Sequence, residues 1–132
     1  RHDKYKIWLS VGGHIELDED PNQAAIREAK EEVGLTITVF DGLMPKNKPE
    51  PGYRELIPPH FVNRHTINPT HEHVTFAFFA TSDTDQIIQP DDHEKSPECR
   101  WFSKEDLEKN TDPDLPDRIK FYAFKALETL RR

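Results

Sequence analysis

From Asp20 to Gly34 the chain carries a complete set of helix punctuation, and no other stretch constrains the fold as strongly. Asp20 is a good N-cap, Pro21 suits the first helical position, and Gly34 suits a left-handed stop. The spacing predicts a helix over residues 21–33, about three and a half turns long. On a wheel turning about 100° per residue, Ala25, Ile26, Ala29 and Val33 form one stripe and Glu28, Glu31 and Glu32 a neighbouring one. Like charges three and four apart destabilise a helix by roughly 0.2–0.5 kcal/mol per pair. Folding does not ask for that arrangement, whereas a hard divalent cation with oxygen ligands does. The competing reading is a solvated acidic face whose charge Arg27 and Lys30 offset.

The flanking sequence predicts an α/β domain. Tyr5 to Leu9 reads as a short strand entering the Gly12-Gly13 turn, and Leu35 to Phe40 as a second strand. Residues 41–59 hold five of the 11 prolines and form a long loop, open between a binding loop and a plain connector. His60 to Ile67 and His73 to Ala80 read as two strands joined by a turn near Asn68-Pro69. Gln86 to Gln89 and Arg100 to Phe102 are candidate short strands. Ser103 and Asp106 make a capping box for a helix over 104–109. Ile119, Tyr122, Ala123, Ala126, Leu127 and Leu130 fall at helical spacing, so 117–131 is an amphipathic helix on the sheet. The order suggests a mixed sheet with helices on both faces.

Length and charge narrow the function. At 132 residues the chain fits one domain, and its longest apolar stretch is far short of the roughly 20 residues that span a bilayer. No export signal is visible at the N-terminus, which lacks an initiator Met. A net charge of −7 without a basic run argues against a stable nucleic-acid or membrane partner. An acidic chain can still take a polyphosphate if divalent metals invert the local charge. The single cysteine, Cys99, excludes an internal disulfide and points to a reducing, cytoplasmic setting.

Gly13, Glu19, Arg27, Glu28, Glu31, Glu32 and Gly34, with small or aliphatic Ala29 and Leu35, spell G-x5-E-x7-R-E-U-x-E-E-x-G-U. Seven fixed positions match by chance on the order of once in a million chains of this length. With W-L-x-x-G-G-H-I-E before it and R-W-F-S-x-E-D-L near the end, the sequence resembles the Nudix hydrolase family. That resemblance implies a Nudix fold, an α/β/α sandwich around a mixed sheet, here as a single domain over 1–132 short of one or two N-terminal strands. It implies a pyrophosphohydrolase cleaving a nucleoside diphosphate linked to another group, using one to three Mg²⁺ or Mn²⁺ ions. The alternative is a Nudix-fold module that binds a nucleotide without cleaving it.

By position, the resemblance makes Glu28, Glu31 and Glu32 metal ligands, with the Gly12 carbonyl as a further one. Arg27 orients and neutralises the glutamates, and Gly13 and Glu19 support the loop. A further ligand or base is expected from the loop before Trp101, with Glu94 placed ahead of Glu98. His14, at a variable position of the box loop, is a candidate substrate contact. Val11 stands where many relatives have Pro, and Pro51 lies where ADP-ribose members often carry one. The substrate is left open between nucleoside triphosphates, oxidised ones included, and ADP-ribose-like diphosphates. The oligomeric state is left open, a homodimer among the options. His60, His65, His71 and His73 invite a zinc reading, but without H-E-x-x-H or a Cys pair a surface or strand-end role is favoured for each. Trp8 and Trp101 are expected in or at the edge of the core, with base stacking open to Trp8 alone.

Overall fold

The computed structural model describes residues 8–89 and 99–130. Its first element is α1 (Pro21–Val33), bounded as its punctuation predicts. Asp20 accepts from the Gln23 N–H at 2.8 Å while the Gln23 side chain accepts from the Asp20 N–H at 2.9 Å. Gly34 ends the helix at φ 73°, where its N–H reaches the carbonyls of the last turn.

The chain then forms β1 (Ile37–Val39), β2 (Phe61–Asn68), β3 (His71–Ala77) and β4 (Ala80–Ser82). Among the described residues these make two antiparallel pairs, β1 with β4 and β2 with β3. The expected α/β composition is present, with the strands resolved into these two ladders. In the hairpin, side chains alternate between half-buried and exposed, so Phe61, Asn63, His65 and Ile67 share the inner face. A register shift between Thr66 and Asn68 precedes the turn. The short helix α2 (Lys104–Lys109) opens on the Ser103–Asp106 capping box, and α3 (Asp117–Leu130) follows.

A buried apolar cluster joins the Trp8 segment to α2 and α3. Trp8, Leu107 and Leu115 are buried together, with Phe102, Ile119, Ala123 and Phe124 packed around them. Ala29, Val33, Leu35, Val39 and Phe79 are buried as well. The inner face of the hairpin meets α3 through Phe61, whose ring centre lies 5.3 Å from that of Tyr122 and 5.4 Å from that of Phe121.

Several expectations are corrected. Trp8 and Leu9 are not in a strand: the Trp8 N–H donates to the Asp114 carbonyl at 2.8 Å, tying this segment to the turn before α3, while Tyr5 to Ile7 lie outside the described residues. Among the described residues, Gln86 to Gln89 is not a strand either: the Ile88 N–H donates to the Val33 carbonyl at the end of α1, 2.8 Å. Arg100 to Phe102 belongs to no strand among the described residues. Its Phe102 packs edge-on against Trp8, whereas Trp101 is 54% exposed instead of core, its indole N–H donating to the Asp85 carbonyl. On α1, Ala24 is buried and Ile26 is 42% exposed. Ala24 stands about 40° from Glu28 on the wheel, so the covered face is turned toward the glutamates, and Ile26 falls at its trailing edge.

Candidate active site: an arginine-centred glutamate cluster

The glycine-rich segment before α1 folds back along the glutamate stripe. Gly13 lies so close to Glu28 that an added Cβ would come within 2.5–2.8 Å of both carboxylate oxygens. Only a residue without a side chain permits that approach. The Gly12 N–H donates to Glu32 Oε2 at 3.3 Å.

Arg27 is the centre of the cluster. Its Nε and Nη2 donate to Glu19 at 2.7–3.2 Å, and Nη2 also donates to the His14 carbonyl at 2.9 Å. Its Nη1 lies 2.9 Å from Glu28 Oε1 and 2.8 Å from Glu31 Oε2. Glu16 completes the ring with an oxygen 3.9 Å from Nη2. The planar guanidinium fork suits several carboxylates at once, as a lysine point charge would not. Glu19 in turn accepts from the Glu16 N–H at 2.9 Å, closing the turn that leads into the helix.

The electrostatics follow from these contacts. The Arg27 hydrogen bond is the main cause holding the Glu19 carboxyl below the usual range, and the same bond raises Arg27 above its ordinary value. Glu32 behaves oppositely. Burial pushes its carboxyl up to about 7, the Gly12 N–H pulls it back, and neighbouring Glu28 and Glu31 push it up further. The cluster thus holds more carboxylate than one arginine neutralises, with one acid partly protonated near neutral pH.

The structure brings Gly12, Gly13, His14, Glu19, Arg27, Glu28, Glu31 and Glu32 together. Glu94 and Glu98 lie outside the described residues. The His14 ring points at the hairpin, its centre 5.5 Å from that of His73. Sequence reasoning missed Glu16, and it missed Asn22, whose side-chain amide makes two hydrogen bonds to Ile57 at 2.8 and 2.9 Å. That pair fastens the end of the proline-rich loop to the first turn of α1; the signal was an Asn two residues past the cap. An open groove of about 600 Å³ lies along β1 and β4 beside Trp101, and none of the box carboxylates lines it.

The donor set is hard carboxylate oxygen, which suits Mg²⁺ or Mn²⁺. Burial first, and then neighbouring Glu28 and Glu31, raise the Glu32 carboxyl, and a bound divalent cation would favour its ionised form. Among the described residues, no group of three His, Cys, Asp or Glu side chains is set to hold a metal ion as it stands. Within the box, the Arg27 guanidinium occupies the space between Glu19, Glu28 and Glu31.

The NUDIX domain family model matches residues 1–124, and the chain belongs to the Nudix family. An m7GpppN-mRNA hydrolase, NUDT17 from Xenopus laevis, is 32% identical over 103 residues, covering 75% of this chain and 32% of that protein. The chain therefore spans about a third of the length of the curated relative it matches. The crystal structure of a NUDIX-family hydrolase from Clostridium perfringens is similar with a TM-score of 0.81 at 32% identity, covering 98% of this chain and 85% of that one. The expected α/β Nudix fold is borne out.

Proposed function

We propose that this chain is a divalent-metal-dependent pyrophosphohydrolase that cleaves a nucleoside diphosphate linked to another group by water attack on phosphorus. The observation that carries the reading is the Glu28, Glu31 and Glu32 face gathered around Arg27 and packed against Gly12-Gly13. Glu28, Glu31 and Glu32 would hold Mg²⁺ or Mn²⁺, joined by the Gly12 carbonyl and by Glu94. When bound, the ions neutralise the diphosphate, polarise its P–O bonds and lower the pKa of water.

The chain's own groups supply the rest. Arg27 keeps Glu28 and Glu31 at fixed positions, so that reorganisation is small when substrate arrives. Glu19 and the His14 carbonyl hold the other side of the guanidinium, which ties the loop to the helix. The water's proton would pass to a carboxylate left off the ions or touching them only through water. Glu94 is our first choice, and Glu31, 33% exposed, is the alternative within the box. Glu32, half-protonated near neutral pH, would have to be ionised to serve as a ligand.

The Xenopus relative's name makes a capped RNA one substrate to try, beside nucleoside triphosphates and ADP-ribose. A panel of these with Mg²⁺ or Mn²⁺, read by product identity, tests the reading. Metal-dependent release of phosphate, pyrophosphate or a nucleoside monophosphate is the expected outcome. Saturable nucleotide binding with no product under any metal would make the chain a binding module instead.

A further inference from the structure

Outside the glutamate box, the hairpin carries a second concentration of metal-ligating groups. His65 on β2 and His73 on β3 are direct cross-strand partners, and His71 precedes His73 by two residues. Residues two apart on a strand share a face, so all three imidazoles stand together. Ring centres lie 4.7 Å apart for His71 and His73, and 5.5 Å apart for His65 and His73. His14 from the box loop meets the same His73 ring at 5.5 Å. We propose that His65, His71 and His73 form a transition-metal site for a borderline cation such as Zn²⁺, with His14 at its rim.

Two independent features favour ligation over a bland polar cluster. The Nε2 of His73 is buried without a hydrogen-bond partner, and buried polar atoms ordinarily find one. Asn63, whose amide NH₂ donates to the Tyr122 hydroxyl at 2.7 Å, leaves its Oδ1 3.1 Å from His65 Nδ1. That oxygen can only accept, which puts the proton on Nδ1 and a lone pair on His65 Nε2. An outer hydrogen bond fixing the tautomer in this way is the usual support of a metal-binding histidine.

The spacings of His73 from His65 and from His71 are close to those of two imidazoles on one metal ion. Two imidazoles on a tetrahedral zinc, with Zn–N of about 2.0–2.1 Å, stand with ring centres roughly 5 Å apart. The rings now meet edge to face at 82° and 85°, and among the described residues no three such side chains are set to hold a metal ion as they stand. Closure therefore takes rotation about the Cα–Cβ bonds, for which exposed His71 has room. Nitrogen donors also separate this site chemically from the oxygen-only box. Because the His14 carbonyl accepts from Arg27, an ion at the rim would tie the hairpin to the box loop.

Cobalt(II) distinguishes the two sites, because a tetrahedral nitrogen-ligated ion absorbs strongly in the visible and an octahedral oxygen-ligated one does not. The untagged chain would be titrated with Co²⁺, then back-titrated with Zn²⁺. The strong spectrum is expected in the parent and in Glu32→Gln, with affinity falling at least about tenfold in His71→Ala and in His73→Gln. His71 is exposed, so its substitution leaves the fold intact, which the melting temperature checks. The proposal is overturned if the parent gives no strong spectrum, if both histidine variants keep it unchanged, or if Glu32→Gln abolishes it.

Discussion

Gly13 shows how one missing side chain sets the site. The Glu28 carboxylate occupies the space where a Cβ would stand, so Gly13→Ala must push Glu28 away from Arg27. A misplacement of about 1 Å near the chemistry can cost about a hundredfold in rate, and a loss of that order in turnover is expected, with circular dichroism unchanged. Turnover within threefold of the parent would mean that Glu28 does not act where it sits. Glu28→Gln makes a second test. Added Mn²⁺ should raise the melting temperature of the parent by binding the native state alone. The variant, having lost a proposed ligand, should show a clearly smaller rise by calorimetry. Neither residue belongs to the buried core, so a general loss of stability is not the expected cause.

The element that carries the site is stopped more firmly than it is started. Asp20→Ala removes one capping bond and should cost about 1 kcal/mol in urea unfolding. Gly34→Ala should cost more, roughly 1–3 kcal/mol from the left-handed backbone alone, because its Cβ would also press on the Ile88 carbonyl. The reverse order of midpoints would contradict this account of the helix ends. Both ends were legible in the sequence because capping is local, settled within four residues. The hairpin was legible through its alternation and its Pro69 turn. Gln86 to Gln89 and Arg100 to Phe102 were not. A strand of three or four residues exists only if a partner lies alongside, and no local pattern reports the partner. Ile88 found the end of α1 and Phe102 found Trp8. In the site, residue types and helix face were legible. The seating of Glu28 on Gly13, the Glu16 contact with Arg27 and the Asn22 clamp are contacts across loops and were not.

Across the whole molecule, a net charge of −7 and a partly protonated, half-buried acid make stability depend on pH in a way a cation should reverse. Glu32 has a folded pKa raised to about 7 from an ordinary 4.5. Its contribution is therefore fully present below pH 4.5 and is lost as pH rises through 7. Other groups act in the opposite sense. Glu19 and Asp106 lie below their ordinary values and lose their contributions as pH falls through the acid range. His73, below 6.5, opposes Glu32 as pH falls through the His range. The raw curve mixes these effects, and Glu32→Gln isolates one of them, since Gln resembles the protonated acid. With metal chelated, parent and variant should melt together near pH 5, and the variant should melt higher at pH 8. Adding Mn²⁺ at pH 8 should close or invert that gap, because the ionised Glu32 of the parent regains stability that Gln cannot. Calorimetry in chelator showing one constant difference from pH 5 to 8 would mean that the Glu32 proton is not linked to folding.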